Sequence, residues 1–178
     1  MSIRAGTLDT HRARAARRRP AARRAPARAV PGRPRRAIRI AITRASGCAP
    51  LRAARVRATL RAAARAHGWR GDISLAVVDD VAIAALNRRF LRARGPTDVL
   101  AFAYGDDADG VAGEIIVSAE TAARAARALG EPPERELLRY CIHGLLHLCG
   151  LDDAAPAARR EMQAQEDRFL PPHEEFRP

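Results

Sequence analysis

His143 and His147 stand four residues apart in the run Cys141 to Asp153, CIHGLLHLCGLDD, which continues into Gly150 and the carboxylates Asp152 and Asp153. The residues around the histidines, among them Leu137, Leu138, Ile142, Leu145, Leu146 and Leu148, are apolar. The run therefore predicts a largely buried helix ended by glycine. Side chains four apart on a helix lie about 40° apart around its axis, one turn above the other. Two imidazoles can thus face one metal ion. A turn at Gly150 lets Asp153, six residues after His147, come back as a third ligand, which leaves an open position as in catalytic zinc sites. Asp152 is the alternative third ligand. A single histidine on an apolar helix is usually a packed core residue, but two at this spacing with a following carboxylate pair are harder to explain by packing alone.

The pattern H-G-x-x-H differs from the zinc-protease motif H-E-x-x-H at one position. Gly144 replaces the glutamate that acts there as general base. A peptidase built on this chain would need a base from elsewhere. A metal-assisted phosphodiester hydrolase would not, because a cation can itself stabilise charge developing on phosphoryl oxygens. A third reading is a binding protein in which the metal is structural. Cys141 and Cys149 sit two positions outside the histidine pair, about 160° around the helix from the nearer histidine, and are read as packed thiols rather than ligands.

Several separate motifs, in order, resemble one family. HGLLHLCGLDD is similar to the H-G-x-L-H-L-x-G-Y-D-H signature of the YbeY endoribonucleases. Pro96 to Phe102, PTDVLAF, resembles that family's P-T-D-V-L-S-F, and Gly113 to Ser118, GEIIVS, its G-D-I-x-I-S. Asn87, Met162 and Glu166 also fall at family positions, so the likeness runs from about residue 37 to 170. The resemblance implies a metal-dependent, single-strand-specific endoribonuclease acting in rRNA maturation, at the 3′ end of 16S rRNA, and in ribosome quality control. It implies one zinc ion per chain, or another divalent metal, held by His143, His147 and Asp153, with rRNA and ribosomal particles as partners.

The sequence departs from the family pattern where the third ligand is usually histidine, here Asp153. It departs again at Leu151, where the family has tyrosine, and at Leu91, where an arginine is usual and Arg92 follows. A carboxylate in place of a neutral imidazole lowers the net charge of ion plus ligands by one unit. It makes bound water less acidic and the site more hospitable to manganese or iron. Asp152 is then read as a supporting residue that orients a histidine or caps the turn.

The chain has 178 residues and a formal charge of +12. Residues 1–36 hold twelve arginines against Asp9, leaving only +1 to the rest. That segment is rich in Arg, Ala and Pro and nearly free of large apolar residues, so it is read as a disordered basic tail ahead of a single domain at 37–178. It is either a basic arm for RNA phosphates, a targeting peptide, the product of a start codon placed too far upstream, or a solvated tail without a role. Three cysteines and no secretory signal favour a reducing compartment without disulfides. No apolar run is long enough to span a membrane, and a cytoplasmic location is expected.

Strands are predicted at 37–43, 72–78, 98–103 and 114–118, and helices at 51–67, from Asp80 to about Phe90, from Ser118 to Leu129, from Pro133 through the histidines, and from about Pro156 to Leu170. Asp79 and Ser118 are predicted N-caps, and Gly130 a helix stop. The alternation gives an α+β fold, a small mixed sheet covered by helices, and the spacing of the metal motif makes it zincin-like. Arg92, Arg94 and Arg139 are candidate cleft cations. Asn87, Thr97 and Asp98 are read as structural, and Trp69 and Phe102 as core aromatics.

Overall fold

The computed structural model describes residues 37–48, 51–105 and 111–176. The tail 1–36 and most of the acidic loop 104–110 therefore lie outside the described residues. Four strands form one mixed sheet: β1 (Ile40–Arg44), β2 (Asp72–Val78), β3 (Val99–Ala103) and β4 (Val111–Ser118). Their spatial order is β1-β2-β4-β3, with β1, β2 and β4 parallel and β3 antiparallel to β4. The helices are α1 (Ala53–Ala66), α2 (Asp80–Leu91), α3 (Ala119–Leu129), α4 (Pro133–Leu148) and α5 (Pro156–Phe169). A short 3-10 turn at His173–Phe176 follows α5.

Alternation along the strands divides the sheet into two faces. Ile73, Leu75, Val77, Val99, Ala101, Ile115 and Val117 point into the main core, which α1, α3, α4 and α5 complete. Leu100 and Ile116 point the other way, onto Ile83 of α2, with Ala76, Val78 and Phe102 around them. The expected α+β architecture is what forms. The first strand starts later than its apolar pattern suggested, at Ile40, and β4 starts three residues earlier. Both outer ends depend on partner strands rather than on composition, since a ladder extends only as far as its neighbour does.

Local signals fix the helix ends. The Asp79 carboxylate accepts a hydrogen bond from the Ala82 amide at 2.7 Å, and Ser118 Oγ accepts one from the Thr121 amide at 3.1 Å. Gly130 ends α3 at φ 69°, a left-handed conformation that glycine adopts without Cβ strain. The N-termini of α2 and α3 also lock together. Asp80 accepts from Ser118 Oγ, Thr121 Oγ1 and Arg124 Nη1, while Glu120 accepts from the Asp80 amide. At the sheet's β1 edge, Arg57 and Arg61 of α1 donate to the carbonyls of Ile40 and Ile38. Such capping blunts an edge that would otherwise be open to pairing. β3 is the other edge, and among the described residues no arginine covers it.

Helix α4 is the centre of the domain. Leu137, Leu138, Cys141, Ile142, Leu145 and Leu146 are all buried, so the helix is apolar nearly all round. It presses on the sheet at Gly144. A Cβ there would lie 2.7 Å from Ile115 Cγ2 and 2.8 Å from Val99 Cγ2, closer than carbon atoms approach. Glycine costs a helix interior roughly 0.5–1 kcal/mol relative to alanine, so its place here is explained by contact rather than propensity. Gly144→Ala should lower stability by about 1–3 kcal/mol through overpacking. The check is the midpoint of chemical denaturation; an unchanged midpoint would mean that α4 can lift off the sheet at no cost.

Candidate metal centre

The two histidines leave α4 on the same side, His143 5% exposed and His147 half-buried. The helix then ends as its glycine predicts. Gly150 is left-handed at φ 92°, its amide donates to the His147 carbonyl at 3.0 Å, and the Leu151 amide donates to the Leu146 carbonyl at 3.0 Å. This pair of bonds is the Schellman closure of a helix C-terminus. It reverses the chain, so the residues after Gly150 run back past the imidazoles. The Asp152 side chain stabilises the return, accepting from the amides of Asp153 and Ala154. Arg159 of α5 donates to the Asp153 carbonyl at 3.3 Å. Asp153 itself is 7% exposed.

His143, His147 and Asp153 each offer a ligand atom, and these atoms lie within 4.8 Å of one another. The two Nε2 atoms are 2.9 Å apart, and His143 Nε2 is 3.9 Å from Asp153 Oδ2. Tetrahedral zinc with ligands at 2.0–2.2 Å separates its ligand atoms by about 3.3 Å, so small side-chain movements would bring the three to the spacing such an ion requires. Asp152 is turned into the backbone instead.

Both imidazoles are oriented from behind. His143 Nδ1 lies 2.7 Å from Oε1 of Glu166, a residue of α5 that is itself 4% exposed. His147 Nδ1 lies 3.0 Å from the Leu151 carbonyl. A carboxylate and a carbonyl can only accept, so each Nδ1 carries its proton and each Nε2 is the atom presented forward. Burial works against charge on His143, but the hydrogen bond and charge of Glu166 outweigh it, helped by Asp98 and Asp153, and its pKa is raised. His147 moves the opposite way, lowered by burial and then by the charge of His143. The two Nε2 atoms face each other at 2.9 Å.

That arrangement tests whether a cation fits. With both imidazoles neutral and protonated at Nδ1, two lone pairs would oppose each other at 2.9 Å, beside Asp153 Oδ2, which is buried and has no hydrogen-bond partner. An unpartnered buried carboxylate oxygen is costly unless something positive satisfies it. Two neutral nitrogens and one carboxylate suit zinc, and the carboxylate also suits harder divalent ions. The cysteines take no part. Burial pushes the Cys141 thiol up to about 12 and Cys149 up to about 11, so both remain protonated and packed.

Glu166 is the residue whose role the sequence left unread. It was visible only as a position in a helical M-x-x-x-E pattern, and its contact with His143 spans 23 residues of chain. Arg139, a candidate cleft cation, is instead committed beneath the site. It bonds Glu136 at 3.3 Å and Asp167 at 2.8 Å and lies 3.7 Å from Glu166. Three carboxylates converging on one guanidinium explain why it turns inward. Asn87 and Asp98 behave as the structural residues they were read to be. Asn87 donates to the Gly95 carbonyl at 3.0 Å, and Asp98 accepts from Thr97 Oγ1 and the Val99 amide. Arg92 and Arg94 remain exposed.

A mixed sheet packs under a central helix that carries two histidines, and Asp153 of the following turn stands beside them, a group that could hold a metal ion. A model of the family described as Endoribonuclease YbeY matches residues 51–173, and the chain belongs to that family of RNA-cleaving hydrolases. The Endoribonuclease YbeY of Moorella thermoacetica is 40% identical over 124 residues, covering 62% of this chain and 80% of the relative. That of Rhodopirellula baltica is 41% identical over 108 residues, covering 59% of this chain and 56% of the relative. The solution structure of TM1509 from Thermotoga maritima is similar with a TM-score of 0.52 at 26% identity, covering 74% of this chain and 86% of that one.

Metal content after dialysis distinguishes the two aspartates. Asp153→Ala should lose most of the bound metal, whereas Asp152→Ala should keep its stoichiometry because its carboxylate serves the turn. Glu166→Gln, which keeps the shape but not the charge behind His143, should weaken metal affinity about 10–100-fold. Full metal in Asp153→Ala with loss in Asp152→Ala would reverse the assignment.

Proposed function

We propose that this chain is a single-strand-specific, metal-dependent endoribonuclease that acts in rRNA processing, at the 3′ end of 16S rRNA, and in ribosome quality control in the cytoplasm. Its partners would be rRNA and ribosomal particles. His143, His147 and Asp153 would hold one zinc ion, or another divalent ion, per chain. The observation that carries this reading is the convergence of two Nε2 atoms on a buried, unpartnered carboxylate oxygen in a chain of an endoribonuclease family.

When bound, the ion would polarise a phosphoryl oxygen and acidify a water molecule. The residues of the chain do the positioning. Glu166 and the Leu151 carbonyl hold the imidazoles so that Nε2 faces the substrate side. Glu166 also offsets positive charge that builds up on His143, and Arg139 keeps that carboxylate in place. Asp153 brings negative charge to the shell, which tempers the acidity of the water relative to a three-histidine site.

Gly144 speaks against the protease reading twice. It supplies no base, and its contact with Ile115 and Val99 leaves no room for one. No helix among the described residues is long and apolar enough to cross a membrane. The single domain at 37–178 is read as the catalytic unit. The tail's +11 charge is read as an arm that strengthens RNA binding electrostatically.

The direct test is cleavage of a precursor rRNA fragment by the purified full chain, with and without a chelator. Cleavage should disappear on metal removal and return on readdition, while a casein substrate stays intact. Removing residues 1–36 should flatten the salt dependence of RNA binding without changing metal content. Chelator-sensitive proteolysis, or ribosome association with no cleavage by the metal-loaded protein, would overturn the ribonuclease reading.

A further inference from the structure

The arginines of the described domain are mostly spent on the protein itself. Arg39, Arg52, Arg124, Arg135 and Arg139 pair with carboxylates, and Arg44, Arg55, Arg57, Arg61 and Arg159 donate to backbone carbonyls. Arg65, Arg70, Arg127 and Arg160 are scattered exposed exceptions, and one segment concentrates them. Residues 88–94, RRFLRAR, carry four exposed arginines and no acid, and none of the four has a carboxylate partner among the described residues. Arg88 and Arg89 sit in the last turn of α2, where they complement the helix dipole. Arg92 is the C-cap of that helix, and Arg94 lies beyond it, where that explanation no longer applies. Arg92 is also the one non-glycine residue with positive φ, at 55°, among those described.

Phe90 stands in the middle of this charge, 50% exposed. Its ring meets Phe102 of β3 edge-to-face, with centroids 5.1 Å apart, and Arg89 lies over it at 5.3 Å. Phe102 is held from below by the Leu100–Ile116–Ile83 cluster, so the outer ring rests on a fixed base. Leu91, at the position where the family pattern has arginine, packs into that same cluster. Glu114, which faces Phe102 across the ladder, is occupied by the Tyr104 hydroxyl, which donates to it at 2.6 Å.

The surface is connected to the metal centre. Val99, at the start of β3, touches α4 at Gly144, next to His143. Phe102 is three residues further along the same strand, about 10 Å away, on the opposite face of the open sheet edge. The loop from Arg92 to Asp98 joins the two, tied at its middle by Asn87 to the Gly95 carbonyl, and Asp98 adds its charge to the field at His143.

We propose that the end of α2 and its following loop bind single-stranded RNA a few nucleotides from the scissile phosphate. Phe90 is the stacking platform for one base, Phe102 its support, and Arg89, Arg92 and Arg94 the contacts to the flanking phosphates. This rests on the ribonuclease reading and supplies a reason for single-strand preference, since only an unpaired base offers its face to an aromatic ring. A base taking Arg89's place on the ring leaves that guanidinium beside the sugar–phosphate chain. The surface is on the far side of the edge strand from the metal, so it contributes to binding and not to the bond-breaking step.

The test uses the full, metal-loaded chain and a single-stranded oligoribonucleotide containing 2-aminopurine. Binding should quench the fluorophore at one position in the parent protein. Phe90→Ala should abolish the quenching and raise Kd and KM about five- to hundred-fold, the range of one lost base stack, with kcat and metal content unchanged. Phe90→Trp should retain both quenching and affinity. Arg94→Ala should lower the salt slope of binding by about one. If the parent neither binds nor cleaves RNA, the ribonuclease reading fails. If the parent cleaves but Phe90→Ala binds and cleaves as it does, that reading stands and this surface serves something other than RNA, such as a protein partner.

Discussion

The close approach of α4 to the sheet is the constraint on which the rest depends. With only hydrogen on the Gly144 Cα, the helix sinks against Val99 and Ile115. Burial of Leu138, Ile142, Leu145 and Leu146 then fixes its rotation about its own axis. Rotation decides where His143 and His147 point, because a helix carries its side chains at fixed angles. The same glycine that deprives the motif of a protease's carboxylate thus positions the imidazoles. A small residue at this position is a packing requirement with a chemical consequence.

Behind that helix, the candidate metal centre is flanked by alternating charge. Asp153 faces His143 from one side and Glu166 from the other. Glu166 is in turn next to Arg139, which also holds Glu136 and Asp167. Buried charges are tolerated only when paired, and removing one member leaves its partner exposed to the full desolvation cost. The network therefore links the histidine–aspartate cluster to the packing of α5 on α4. Burial raises the pKa of Glu136, with the charge of Arg139 opposing it.

Much of this was readable from the chain, because the signals were local. Asp79, Ser118, Gly130 and Gly150 each determine backbone geometry within a few residues, and each sits where its chemistry requires. The histidine spacing and the return of Asp153 followed from helical geometry and one glycine turn. The contacts made by Glu166 and Arg139 were not readable, because both depend on how α5 docks against α4, a matter of tertiary packing with no short-range signature. The start of β1 and the start of β4 were misjudged for a similar reason: strand length is set by the neighbouring strand. Phe90 was equally hidden, since nothing in an Arg-rich helix end tells whether its aromatic faces the core or solvent.

The central claim is that His143, His147 and Asp153 form one metal shell, and metal-edge X-ray absorption of the loaded protein tests it most directly. The account predicts two imidazole ligands and oxygen, with nitrogen and oxygen scatterers at about 2.0–2.2 Å and no sulfur. A sulfur scatterer at about 2.3 Å, which would bring in Cys141 or Cys149, or a third imidazole in place of the carboxylate, would contradict it.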